Sequence, residues 1–162
     1  MPSVLISDAM QYEKCLSRLQ RLCSKAEYCR SQMYAKAVRD LEGDTASAAK
    51  IVDSLVADKY IDDARYASAF AREKSSIQGW GPIKIRFQLR SKGISDADIA
   101  AGLSEIEEPK ASRKLESVLA AKYRTLQGDP QCKLKLIKFA LSRGYEYGDV
   151  AAAVESLIKG ES

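Results

Sequence analysis

Three pieces of this chain return at one fixed spacing. Lys92-Gly93-Ile94 recurs as Arg143-Gly144-Tyr145, Asp98-Ile99-Ala100-Ala101 as Asp149-Val150-Ala151-Ala152, and Leu103 as Val154, each 51 residues further on. A constant offset near fifty residues is the mark of one supersecondary unit built repeatedly, each copy burying its apolar face against the next. A fainter echo at offset 48 pairs Leu41, Ile51 and Leu55 with Leu89, Ile99 and Leu103, which places another copy upstream. Three units follow, 12–59, 60–108 and 109–159, within one continuous domain over 1–162.

Local signals make those units helical. Asp62 and Asp63 stand where the amides of a helix start are unpaired and the macrodipole is positive, and Tyr66, Ala69, Phe70 and Glu73 follow at helical spacing. The pattern breaks at Gln78-Gly79-Trp80-Gly81. Pro82 then occupies the first position of a new helix, which has no use for its N–H, and Gly93 ends it. Ser24 with Glu27 has the spacing of a capping box, Thr45 is placed to cap the helix carrying Ile51 and Leu55, and Ser95 with Asp98 the one carrying Ile99 and Leu103. Pro109 and Asp129-Pro130 open two further helices, while Gly43, Gly128 and Gly144 mark helix ends. The expected fold is all-α: three tandem three-helix repeats in an elongated, curved right-handed or solenoid-like array.

One segment pulls the other way. Ile83, Ile85, Phe87 and Leu89 alternate with Lys84, Arg86, Gln88 and Arg90, the period of a half-buried strand. Pro82 and Gly93 favour a helix of three turns, and no strand of similar character lies nearby as a hairpin partner. As a helix, the segment puts Ile85 with Leu89 on one side and Ile83 with Phe87 on nearly the opposite one. One pair faces its own repeat. The other meets either a neighbouring helix or a partner, and basic residues flank it.

Chemistry finds little foothold. The 162 residues include no histidine, and there is no phosphate loop, nucleophile elbow or dinucleotide fingerprint, so neither an enzyme nor a cofactor is expected. Cys15, Cys23, Cys29 and Cys132 lack CxxC spacing and read as reduced, structural thiols rather than metal ligands. Asp62 and Asp63 read as caps, not as a cation site. No apolar run spans a bilayer and the N-terminal residues MPSVLISDAMQYEK have no basic leader character, so a cytoplasmic protein is expected.

Net charge is only +4, yet it is unevenly distributed. Arg65, Arg72, Lys74, Lys84, Arg86, Arg90 and Lys92 share their stretch with one acid, Glu73, before Asp96, Asp98, Glu105, Glu107 and Glu108 follow. Such clustering can build a basic face for phosphates beside an acidic one, or can be an ordinary solvated helix surface. Trp80, between two glycines, reads as a plug between helices, with stacking on a base or a partner as the alternative.

Tyr60-Ile-Asp-Asp-Ala-Arg-Tyr-Ala, followed by Trp80-Gly-Pro-x-Lys-Ile-Arg-x-x-Leu-x-x-Lys-Gly-Ile, closely resembles the RecX family, bacterial regulators of the RecA recombinase. The likeness is sharpest in the middle unit and extends over about 12–158, although Glu42-Gly43-Asp44-Thr45 departs from the basic residue and glycine more usual there. It implies structural roles for Tyr60, Asp62, Asp63, Arg65, Tyr66, Phe70, Trp80, Gly81, Pro82, Ile85, Leu89 and Gly93. It also implies a monomeric modulator without an active site that lies in the groove of the RecA filament and hinders ATP hydrolysis, strand exchange and coprotease activity. DNA would be met directly or through the filament, with no membrane partner. Arg72, Lys74, Lys84, Arg86, Phe87, Arg90, Lys92, Lys133, Lys135, Lys138 and Arg143 are the candidate contacts. A non-sequence-specific DNA-binding protein and a protein-only helical adaptor are the alternatives.

Overall fold

The computed structural model describes residues 2–106 and 108–160, with side-chain surroundings from Ser7 onward; Glu107 lies outside the described residues. Among these, every regular element is an α-helix. They run α1 Pro2–Lys25, α2 Arg30–Asp40, α3 Thr45–Ala57, α4 Asp63–Ser76, α5 Pro82–Ser91, α6 Asp96–Ser104, α7 Glu108–Thr125, α8 Cys132–Ser142 and α9 Tyr147–Gly160. The alternating segment is therefore helical. Pro82 fixes the backbone of the first turn and Gly93, at φ +77°, lets the chain leave in the left-handed region.

Several helix starts differ from the sequence expectation. Ser24 does not cap α2: it lies inside α1, its hydroxyl donating to the Arg21 carbonyl. The cap is Cys29, whose N–H donates to Gln32 Oε1 at 3.0 Å, while the Arg30 N–H donates to the Asp63 carboxylate at 2.8 Å from 33 residues away. At α3 the cap is Asp44, one residue before Thr45, its carboxylate accepting from the Ser47 N–H. Asp129-Pro130 makes a turn ahead of α8 instead of opening it: Asp129 accepts from the Gln131 N–H, and the helix begins at Cys132.

The chain divides into two compact units. One runs to Tyr66 and takes in Lys92–Ser95; the other holds Ala67–Ser91 and the chain from Asp96 onward. In the first, α1, α2 and α3 pack on one another around Cys15, Leu19, Met33, Ala37, Ile51 and Leu55. In the second, α7, α8 and α9 enclose Leu115, Leu119, Leu136, Ala140, Val150 and Val154. There α5 also packs on α6, and Gly102 brings α6 against α4, where an added Cβ would lie 3.0 Å from the Ala67 backbone.

The residues that recur at offset 51 do the same job twice, which explains why Lys92–Ser95 belongs with the first unit. The Lys92 carbonyl, just before Gly93, accepts from Ser31 Oγ at 2.5 Å at the start of α2. The Arg143 and Gly144 carbonyls accept from the Gly81 and Ile83 N–H groups, at 2.7 and 2.9 Å, at the start of α5. Helix starts leave amides without intrahelical partners, and at α5 a distant turn supplies the acceptors, whereas at α2 the turn holds the Ser31 side chain. The second joint is backbone to backbone and correspondingly close. A Cβ on Gly81 would fall 2.5 Å from the Gly144 carbonyl, and one on Gly144, itself at φ +96°, would fall 2.6 Å from the Lys84 nitrogen.

This geometry makes a signed prediction. Gly81→Ala and Gly144→Ala should each cost about 2–4 kcal/mol, because a backbone must shift and, at Gly144, a left-handed residue acquires a side chain. Gly148→Ala in α9, where nothing lies within 4 Å, should be neutral or gain up to about 1 kcal/mol. Urea unfolding followed by circular dichroism reads all three; equal effects would remove the close joint from the account.

Candidate functional site

Helix α5 settles which apolar pair is outside. Ile85 and Leu89 are wholly buried, whereas Ile83 is 46% and Phe87 67% exposed. The loss is not compensated within the fold, since an aromatic side chain left in water forgoes burial of a large apolar surface. Lys84, Arg86 and Arg90 lie on the same helix to either side of the exposed pair, which therefore has basic flanks.

Trp80 sits at the head of this helix. Its backbone N–H donates to the Lys74 carbonyl at 2.9 Å, closing the loop from α4, and its ring meets Phe70 edge-on with centroids 6.1 Å apart. The indole is half-buried, not a sealed plug. Lys84 Nζ stands 4.4 Å and Lys74 Nζ 5.1 Å from its ring centre, so two candidate contact lysines are drawn over its face by the negative quadrupole. Gly81 is needed for the approach to Gly144 described above.

The charges that are segregated along the sequence are partly reunited in space. Arg72 pairs with Glu105 at 3.3 Å, Arg90 with Asp96 at 3.0 Å, and Lys135 with Asp129 at 2.6 Å. All three pairs are solvent-accessible and exchangeable. Further along, Lys133 and Lys138 are exposed on α8, and Arg143 and Lys122 bracket the Phe139 ring at 5.0 and 5.1 Å. Lys92 contributes its carbonyl to the α2 joint.

Two features were passed over in the sequence. Leu134, 48% exposed, sits 51 residues after Ile83; each precedes a lysine, Lys135 or Lys84, and then a buried residue, Leu136 or Ile85. The repeat offset was the available signal. Lys122 carried none, because only folding brings it to Phe139.

The residues implied as structural fall into distinct roles. Asp62 accepts from the Arg65 N–H at 3.1 Å and so caps α4, whereas Asp63 caps α2. Arg65 Nε reaches both oxygens of Glu27, at 2.8 and 3.1 Å, and its Nη2 donates to the Tyr60 carbonyl. That carboxylate raises the guanidinium pKa above its usual value. Tyr60 itself lies at the surface and Tyr66 is buried. The four thiols are unbridged; burial, then the Asp40 carboxylate, pushes Cys15 up to about 11, and burial raises Cys23. Among the described residues no group of three Cys, Asp or Glu side chains could hold a metal, and no helix is long and apolar enough to cross a membrane.

A helical-repeat protein with a basic, apolar-centred helix face is thus the class defined by the structure, and comparison with known proteins narrows it. Residues 62–103 match the family model of the second three-helix domain of RecX. The regulatory protein RecX of Chromohalobacter salexigens is 31% identical over 135 residues, covering 83% of this chain and 86% of that protein. That of Clostridium tetani is 26% identical over 159 residues, 95% of this chain and 72% of that one. A crystal structure of a regulatory protein RecX superposes with a TM-score of 0.83 at 22% identity, over 94% of this chain and 75% of that one. RecX from Lactobacillus salivarius gives 0.78 at 20% identity, over 92% and 97%. The chain belongs to the RecX family, a family of regulatory proteins.

The paired lysines over Trp80 can be read directly, since this is the sole tryptophan. Iodide should quench its fluorescence more efficiently than caesium, because an anion is concentrated and a cation repelled at that ring. Lys84→Gln should narrow the difference. Equal quenching by the two ions would place the lysines elsewhere in solution.

Proposed function

We propose that this protein binds the RecA filament on DNA and inhibits RecA ATPase, strand exchange and coprotease activity, so modulating recombination, repair and the SOS response. The observation that carries this reading is the exposed Ile83 and Phe87 pair at the centre of a basic helix face. An apolar anchor within a ring of charge is the arrangement of a protein-docking surface, with the charges adding steering toward an acidic protein groove and a nucleic-acid backbone. Membership of the RecX family supports the choice of RecA as the partner.

The three-repeat division, 12–59, 60–108 and 109–159, is part of the same proposal. The recurrence of the exposed apolar and lysine pair at Ile83-Lys84 and Leu134-Lys135 supports equivalent presentation by the second and third repeats. A protein acting on a cytoplasmic filament works in the cytoplasm, as a monomer and without a cofactor.

DNA-dependent RecA ATPase activity, measured as the protein is titrated in, tests the reading. Inhibition should be saturable. Replacing Lys84, Arg86, Arg90 and Lys92 together by Gln should weaken it substantially and flatten its salt dependence, while Phe87→Ala should raise the concentration needed by about tenfold or more. Asp96→Asn should strengthen inhibition modestly, because it releases Arg90. No inhibition by the parent chain overturns the proposal. A quadruple variant that folds normally and inhibits like the parent moves the working surface off α5, toward Lys133, Lys135, Lys138 and Arg143.

A further inference from the structure

Between α5 and α6 runs a groove of about 510 Å³, lined by Arg86 and Arg90 from α5 and by Ile99, Ala100 and Leu103 from α6. The two arginines stand at i and i+4 and neighbour the exposed Ile83 and Phe87, each of which has one of them three residues on. Their partners differ. Arg90 Nε holds one oxygen of Asp96 at 3.0 Å, and both of those side chains are well exposed. Arg86 is half-buried, yet among the described residues it has neither an ion pair nor a hydrogen bond. A partly buried charge is ordinarily paired, so this one has a demand for an anion that the fold does not meet. Asp96 is the one carboxylate on the groove among the described residues. Glu105 pairs with Arg72, and Glu108 lines separate cavities. The groove therefore carries two cations and one anion, a surplus of a single charge.

We propose that this groove binds an acidic segment of a protein partner, with one carboxylate on Arg86 and an apolar side chain laid on Ala100 and Leu103, over the buried Ile99. The inference rests on the reading of α5 as the docking helix, and it assigns protein rather than DNA to the α6 side of that helix. The balance of charge decides the choice. A surplus of one suits a single carboxylate, which a guanidinium holds through two parallel N–H donors. A nucleic-acid duplex carries a charge about every 1.7 Å along its axis and is matched by a string of cations, not by two arginines of which one already holds an acid. The apolar floor points the same way, because a sugar-phosphate edge gains little from it and an aliphatic side chain next to a glutamate or aspartate gains burial. At the end of the groove Ser104 donates its hydroxyl to the Ala101 carbonyl at 2.7 Å, which leaves its oxygen as an acceptor for a peptide N–H. A second carboxylate on the segment takes Arg90 from Asp96, exchanging one exposed ion pair for another.

The test is amide chemical-shift titration of the full-length, nitrogen-15-labelled chain with a short blocked peptide of alternating glutamate and leucine. Saturable shifts should centre on 86–90 and 96–104, and the same peptide with glutamine for glutamate should bind about tenfold more weakly or worse. Arg86→Gln should weaken the glutamate peptide by a similar factor, and Asp96→Asn should tighten it several-fold by releasing Arg90. Ala100→Glu, at an exposed helical position, puts a carboxylate into the groove and should abolish binding while the helical circular dichroism stays unchanged. Lys133→Gln removes equal charge from α8 and should change little. Unchanged affinity in Arg86→Gln or Ala100→Glu, equal binding of the glutamine peptide, or displacement of the peptide from these amides by an equal concentration of oligo(dT) overturns the groove. A parent chain that inhibits RecA ATPase but ignores the peptide loses the groove and keeps the filament; peptide binding with no effect on RecA does the reverse.

Discussion

Carbonyl groups presented by an interhelical turn to the start of a distant helix are the contact on which the rest of this molecule depends. Short helices of ten or eleven residues, as α2 and α5 are, gain little stability from their own hydrogen bonds and leave their first amides open. In α5 the missing acceptors come from Arg143 and Gly144, about sixty residues downstream; in α2 they come from Asp63 and Gln32, while the Lys92 carbonyl takes the Ser31 hydroxyl. The fold is held at its helix starts by residues that a local reading assigns to other elements.

Fixing the start of α5 also fixes its rotation. With Gly81 and Ile83 tied to the turn through Gly144, Ile85 and Leu89 are committed to the interior, and Ile83 and Phe87 have nowhere to go but solvent. The exposed face is a consequence of the joint, so a change at Gly144 acts on it without touching it. Position 29 is a cysteine where α5 has Gly81, and the corresponding approach is looser: a Cβ on Gly93 would meet its nearest atom, of Ser31, at 3.9 Å.

The helix ends were legible because glycine has a local signature: Gly43, Gly93, Gly128 and Gly144 all have positive φ. Pro82 was legible for the same reason, and it overrode a period-two apolar pattern that on its own reads as a strand. Helix starts were less so. Ser24 with Glu27 has the right spacing, but α1 runs through Lys25, and the acceptor for the Arg30 amide is a carboxylate brought in by tertiary structure. Trp80 was legible as a packing residue through Phe70, while its two lysine neighbours depend on how α4 and α5 meet around it.

Charge is where linear order misleads most. A run of bases followed by a run of acids suggests two opposed surfaces, but helices returning on one another bring Glu105 to Arg72 and Asp96 to Arg90. Exposed pairs of this kind add little to folding stability, so their larger effect is on what the arginines can do next. An arginine held by a carboxylate must exchange one anion for another, and the exchange favours a ligand that offers more charge or better geometry than the resident acid. For any anion that meets this surface, Glu105 and Asp96 are therefore competitors for Arg72 and Arg90 as well as their neighbours.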